Sequence, residues 1–300
     1  MLSVVVVVHD MARELPRTLR SLSPRHQIGL AADAYEVIVV DNGSARPVDP
    51  MLVEGFGGRL RVERIAPAPP SPARAANTGL GLAEGDLVGL IVDGARVASP
   101  GLLAGALRAA RLVDRPLITA PAFHLGEVPH MGATEAGYDQ AVEDELLAGS
   151  GWEADGYRLF DISTPAGSSG RGLFGPMGES SSLFCPPAMW QELGGLDERF
   201  ALPGGGLVNH DLYRRACALP AADLIVLLGE GTFHQYHGGA ATSQRHSWDE
   251  MHADYQGIRG EHHRPPDTAP LYVGHAVSAA LPYIERSARQ AIDRIARHGG

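Results

Sequence analysis

Five consecutive valines, Val4 to Val8, follow Met1-Leu2-Ser3 with no polar position among them. A short, unbroken β-branched run predicts a strand covered on both faces, here Ser3 to Val8. The pattern returns at Tyr35 to Val40, ending on Asp41-Asn42-Gly43-Ser44, and at Leu87 to Val92, ending on Asp93-Gly94. Between these runs the period changes. Leu15, Leu19 and Leu22 share one face of a helix over Met11 to Leu22, with Arg13, Arg17 and Arg20 on the other. Arg61 to Ile65 alternates and predicts a shorter strand. Ser71-Pro72 and Ser99-Pro100 each set an N-cap before a proline, predicting helices over Pro72 to Leu82 and from Pro100 to Leu112. Leu117 to Ala122 reads as a strand, as does Ser180 to Phe184. Pro187 to Leu193 is a short helix stopped by Gly194-Gly195, Asn209 to Ala218 another helix, and Asp223 to Leu228 a last core strand before Thr232 to His237.

Strands alternating with helices predict an α/β fold: a mostly parallel central sheet flanked by helices and joined by right-handed crossovers. Ligands of such sheets bind beyond the carboxyl ends of the strands. Asp41 and Asp93 both fall there, although each also suits a turn or helix cap. Phe123 to Met177 is rich in Gly, Pro, Ser and acidic residues and is longer than an ordinary connection. From residue 241 the composition shifts to His, Arg and Pro, which divides the chain into a domain over 1–240 and a helical C-terminal appendage over 241–300. The last helix carries an apolar stripe, Ile284, Ala288, Ile292 and Ile295, for packing on the parent domain or for a homodimer contact.

Composition removes several classes. The 300 residues are 44% hydrophobic, enough for a sizeable core, and carry a formal charge of −10 with no basic cluster, which argues against nucleic acid as a partner. Every basic residue in the Lys+Arg count of 25 is Arg, so a P-loop, a pyridoxal Schiff base and a Lys nucleophile are excluded. Such Arg, Ala, Gly and Pro usage suits a high-GC genome. Cys185 and Cys217 have no metal-type neighbours at short spacing, consistent with a reducing, cytoplasmic compartment. The valine run is too short for a signal peptide, and no segment is long enough to span a membrane. No Gly-x-Gly-x-x-Gly follows the first strand, which counts against a dinucleotide oxidoreductase, and no His-Glu-x-x-His supports a zinc hydrolase.

Three stretches together resemble the family 2 glycosyltransferases. They are Val4–Leu19 with Tyr35–Ser44, Ala75–Asp86 running into Asp93, and Gly194-Gly195-Leu196-Asp197-Glu198-Arg199-Phe200 followed by His210-Asp211-Leu212. The likeness covers roughly residues 1–240 and leaves Phe123 to Met177 unmatched. It implies the glycosyltransferase A-type fold, a Rossmann-like architecture for nucleotide-diphospho-sugars. It also implies inverting transfer of a hexosyl-type sugar from such a donor to a hydroxyl acceptor, with Mn2+ or Mg2+. By that resemblance Asp41 contacts the base, the backbone at His9 lines the base and ribose pocket, and Asn77 lies under the nucleotide. Arg74 is within reach of a phosphate, and Asp93 holds the ribose diol and the metal.

Two positions depart from the family pattern. The usual Asp-x-Asp is here Asp93-Gly94-Ala95, so a second metal carboxylate is missing. His234 and His237 are candidates to complete the metal site; on an extended strand residues three apart face opposite ways, so one of them is expected to face it. In the family's Glu-Asp-x-Asp pattern, Asn209 takes the place of the catalytic base, and an amide cannot accept a proton usefully. Asp211 is the candidate base and His210 the local alternative, with Gly205, Gly206 and Asn209 meeting the acceptor. Ala95 and Asn209 motivate the alternative of a nucleotide-sugar-binding protein without catalysis. Trp190 reads as core and His252, His262 and His263 as surface residues.

Overall fold

The computed structural model describes residues 1–130, 137–237 and 247–298, so the 240/241 boundary lies outside the described residues. β1 (Leu2–Val8) runs through an eight-stranded sheet between β2 (Tyr35–Asp41) and β4 (Leu87–Ile91), parallel to both; β3 (Arg59–Arg64) forms the edge beyond β2. The unbroken apolar runs follow from burial on both faces. Val5, Val7 and Leu90 enter one apolar cluster, while Val4, Val6 and Ile91 enter the cluster across the sheet, so the period of two survives as an alternation between two cores. α3 (Ala73–Leu82), α6 (Pro187–Leu193) and α7 (Val208–Cys217) pack on the first face. α1 (Leu15–Leu22) and α4 (Leu102–Ala109) pack on the second. α1 starts four residues later than the periodicity predicts, with Pro16 in its first turn, where a missing N–H costs no helical bond. α2 (Pro50–Gly55) is a short helix before β3.

The other half of the sheet contains β6 (Pro116–Thr119), β9 (Leu183–Cys185) and β10 (Asp223–Leu228). With β12 (Leu271–Gly274) at the far edge, its order is β12-β10-β6-β9-β4-β1-β2-β3, with β9 antiparallel between β4 and β6. Gly89 of β4 is required there, since a Cβ would stand 2.3 Å from the Phe184 ring. Trp190 is core, with its indole N–H donating to the Val88 carbonyl at 3.0 Å.

Three strands do not stop at the carboxyl edge. After short breaks β4, β6 and β10 continue into β5 (Arg96–Ala98), β7 (Ala122–Leu125) and β11 (Thr232–His234). These pair with β8 (Ser163–Pro165) in a second sheet of order β5-β11-β7-β8. The strand predicted over Leu117 to Ala122 is thus two strands, divided at Ala120-Pro121, where proline lacks the N–H a ladder needs. The small sheet stands on the carboxyl edge of the large one. α5 (Gln140–Ser150) belongs to the acidic excursion.

Toward the C-terminus, α8 (Trp248–Arg259) packs beside α7, and β12 (Leu271–Gly274) adds a parallel strand outside β10. α9 (Leu281–His298) buries Tyr283 and Ser287 while Ile292 and Ile295 stay exposed, at 64% and 70%. No helix among the described residues is long and apolar enough to cross a membrane.

Candidate active site

The small sheet has two unlike faces. Val97, Phe123 and Phe233 point into an apolar cluster that includes Trp152 and Leu159. Their neighbours point the other way, and the strand register sets Arg96, His234, His124 and Thr164 side by side in one row. Asp93, just past the end of β4, meets this row. Its Oδ2 lies 2.7 Å from His234 Nε2 and 3.5 Å from His237 Nε2, and the two imidazole nitrogens are 3.2 Å apart. Ala95 N–H donates to Asp93 Oδ1 at 3.0 Å and fixes the carboxylate's direction.

Both histidines face Asp93, contrary to the expectation that only one would. β11 ends at His234, and the chain then turns rather than staying extended. Gln235 N–H donates to the Ala95 carbonyl at 2.8 Å, and Tyr236 N–H to Glu143 Oε2 at 2.7 Å. Those two bonds bring His237 round to the side of His234.

The hydrogen bonds also orient the imidazoles. His130 Nε2 is 3.0 Å from the Leu125 carbonyl, which can only accept, so that nitrogen carries a proton. Burial pushes the His130 pKa down to about 3, so the ring is neutral and its Nδ1 is a lone pair. That lone pair accepts from His234 Nδ1 at 3.1 Å. Burial holds His234 down to about 4, and its Nε2 is the nitrogen aimed at Asp93. Burial alone would raise the Asp93 carboxyl, but His234 and His237 hold it well below the usual carboxylate range. Burial opposes charging of His237, yet Asp93 raises its pKa.

The donor set therefore fits a divalent cation. Asp93, His234 and His237 offer one carboxylate oxygen and two imidazole nitrogens, all within 4.8 Å of one another. Separations of this size suit ligand bonds of about 2.0–2.2 Å. A second trio, His124, His130 and His234, also converges. It is not a comparable ligand set: both His130 nitrogens are engaged, and His124 Nδ1 accepts from His130 N–H at 2.8 Å.

Two further charged groups border this cluster. Arg96 Nη1, next in the row to His234, is buried without a hydrogen-bond partner. Glu179 lies just before β9, where its Oε2 accepts from Asn209 Nδ2 at 2.8 Å and stands 3.6 Å from His210 Nδ1. Burial would raise the Glu179 carboxyl, but the charges of His210 and Arg96 keep it below its ordinary value.

Residues 3–110 match the family model described as Glycosyl transferase family 2. Over those residues the chain is similar to the family 2 glycosyltransferases. Solved structures agree on the fold. TarS of S. aureus aligns with a TM-score of 0.53 at 15% identity, over 79% of this chain and 37% of its own. Its 1–349 segment in complex with UDP-GlcNAc aligns with a TM-score of 0.54 at 13% identity, over 85% of this chain and 66% of that one. The chain thus spans 37% of the longer TarS chain. No curated protein matches it by sequence. The mostly parallel sheet and its flanking helices form the glycosyltransferase A-type fold.

Within the matched stretch, β-sheet register sets Val8 level with Asp41 and Val6 level with Ile91, so the ends of β2 and β4 share one edge. His9 Nδ1 is 2.9 Å from the Asn42 carbonyl. Asp10, at a φ of 53°, donates its N–H to Ser44 Oγ and accepts from Ala45 N–H, lacing the turns after β1 and β2 together. Asp41 forms the turn that one reading of it expects. Its Oδ1 accepts from Ser44 N–H at 2.8 Å as a turn former should, while its buried Oδ2 makes no hydrogen bond and pairs only at 3.8 Å with Arg64 Nε. Arg74 is exposed in the first turn of α3.

Other expected residues are engaged elsewhere. Asn77 Oδ1 accepts from Leu196 N–H, and its Nδ2 donates to the Leu196 carbonyl and to Glu198, so the amide pins α3 to the turn after α6 instead of presenting itself to a nucleotide. Asp211 is fully buried. Its oxygens accept from Arg215 Nε at 2.8 Å and from Arg259 Nε and Nη2, each at 2.6 Å. A carboxylate so neutralised ties α7 to α8 and is not a base for an acceptor. Gly205 and Gly206 have φ values of 83° and 53°, and the turn they form packs on Pro72 and Leu202. His252 and His263 are half-buried and cluster with His210, which was not foreseen; His262 is exposed. Sequence reasoning missed Glu179 because nothing in Gly178-Glu179-Ser180-Ser181-Ser182 marks it.

Proposed function

We propose that this domain transfers a sugar from a nucleoside-diphosphate sugar to a hydroxyl acceptor with inversion, using one divalent cation held by Asp93, His234 and His237. The convergence of those three donor atoms at the carboxyl edge of a family 2 domain carries the reading. Two imidazoles favour Mn2+ over Mg2+, which prefers an all-oxygen set. When bound, such a cation neutralises charge developing on the leaving diphosphate.

The chain's own groups do the rest. Asp41 Oδ2, which makes no hydrogen bond and only a 3.8 Å ion pair with Arg64, accepts from the base, and the laced turn at His9-Asp10 walls the ribose. Arg96, whose buried Nη1 beside His234 lacks a hydrogen-bond partner, binds the diphosphate, with Arg74 at its outer side. Residues 1–240 form the catalytic unit, and 241–300 an appendage whose β12 covers the β10 edge.

Calorimetric titration with UDP, GDP and dTDP, each with and without Mn2+, tests this reading. UDP comes first, because the S. aureus neighbour is a complex with UDP-GlcNAc. One diphosphate should bind tightly and depend on Mn2+, and Ala at His234 should remove that dependence. No binding of any diphosphate refutes the reading. The second reading, donor binding without transfer, has Asn209 in its favour and predicts binding with no turnover of any donor sugar.

A further inference from the structure

The family position for the base holds an amide, Asn209, and Asp211 is bound to two arginines. A proton acceptor has to come from another element. β9 runs antiparallel to β4, with Leu183 opposite Leu90 and Cys185 opposite Val88. The residues before Leu183 therefore run toward the end of β4 that bears Asp93. Ser181 Oγ meets Thr232 Oγ1 at 2.6 Å, two residues before His234, and Asn209 Nδ2 donates to the Ser180 carbonyl at 2.7 Å. Glu179 is thereby anchored on the segment that runs toward Asp93, close enough to Arg96 to feel its charge, with its side chain 22% exposed.

Resting on the transferase reading above, we propose that Glu179 is the base that deprotonates the acceptor hydroxyl, oriented by Asn209. The exposed Trp248 ring beside His210 is the face on which a sugar or polyol acceptor lies.

The pairing explains the amide. Asn209 gives one hydrogen to Glu179 and the other to Ser180, whereas an Asp there would set a second carboxylate about 3 Å from the first and repel it. His210 and Arg96 keep Glu179 ionised at neutral pH. Trp248 is 45% exposed, and its ring meets the edge of His210 at 6.2 Å between centroids, which puts a broad apolar surface beside the carboxylate. In the step, Glu179 takes the hydroxyl proton as the acceptor oxygen bonds to the anomeric carbon. The bond from that carbon to the diphosphate oxygen breaks, and its electron pair leaves with the diphosphate. Glu179 then returns the proton to solvent.

The test combines two readouts on the full chain. Turnover is release of nucleoside diphosphate from UDP-, GDP- and dTDP-sugars with water as acceptor, and integrity is calorimetric affinity for the same diphosphate with Mn2+. Glu179→Gln should lower kcat about 10²- to 10⁴-fold while diphosphate affinity stays within about threefold. Adding Asn209→Asp to that variant returns a carboxylate to the cleft and should recover part of the loss. Glu179→Gln turnover within about threefold of wild type overturns the assignment alone. Wild-type protein that binds no diphosphate overturns the transferase reading, and this assignment with it.

Discussion

His130 Nδ1 stands 3.1 Å from His234 Nδ1, on the far side of the imidazole from Asp93. Because His130 Nε2 is held by the Leu125 carbonyl, a group from another strand fixes His234 by its Nδ1 and turns its Nε2 toward Asp93. Partners of this kind typically change metal affinity about 10- to 100-fold. His130→Leu, which removes the acceptor, should weaken Mn2+ binding by that factor in a calorimetric titration. His130→Asn keeps an acceptor oxygen and should fall in between. Equal Mn2+ affinity in all three proteins would show that the tautomer is not controlled from His130.

Arg96 and Asp93 separate two kinds of binding. Arg96 has a buried Nη1 without a hydrogen-bond partner and is not one of the three donors of the cluster. Arg96→Met should lower diphosphate affinity about 10- to 100-fold, the worth of a hydrogen bond to a charged group, with little change in Mn2+ affinity measured alone. Asp93→Ala should abolish both Mn2+ binding and turnover. Turnover that survives Asp93→Ala would remove the centre of the proposed site.

How much of this was legible in the sequence depends on whether the deciding contact is local. The strands Leu2–Val8 and Tyr35–Asp41 announce themselves because burial on both faces demands unbroken apolar runs. Asp93 follows from them, since a residue just past a central strand must stand at the edge. The small sheet was hidden for the opposite reason. Its strands β5 and β11 are three residues each, too short for any period, and the row of Arg96 beside His234 joins residues 138 positions apart through register alone. The Glu179–Asn209 bond is equally non-local. α5 is different. Asp139 caps its start by accepting from Ala141 and Val142 N–H, and Gly151 ends it in a left-handed turn, so its caps were readable within an acidic stretch that masked its weak apolar face.

Glu143 supplies the pH prediction. Burial pushes its pKa from 4.5 up to about 7, although Tyr236 N–H and Arg13 oppose the shift. The folded state thus holds this proton more tightly than the unfolded chain does. The resulting stabilisation is complete below pH 4.5 and is lost as the pH rises to about 7. The loss is at most about 3 kcal/mol. Glu143→Gln cannot ionise, so the stability of wild type relative to this variant should decline across that window. Urea midpoints at several pH values measure it, and a difference independent of pH would contradict the raised pKa.

The last prediction separates structure from chemistry at Asp211. The side chain is fully buried between Arg215 and Arg259, and Arg215 also donates to the carbonyls of Leu193 and Gly195. Asp211→Asn removes the charge that both guanidiniums face. Breaking a buried pair costs about 3–5 kcal/mol, and the low end applies here because the arginines are partly exposed and Arg259 keeps Asp197 at 3.0 Å. For a chain of this size that corresponds to a fall in Tm of roughly 5–10 °C. Turnover per folded molecule, measured well below the lowered Tm, should stay within about threefold of wild type. The opposite result, an unchanged Tm with turnover lost, would return Asp211 to the role of base and take Glu179 out of it. Thermal melts and single-turnover donor release on the same preparation therefore decide between the two carboxylates.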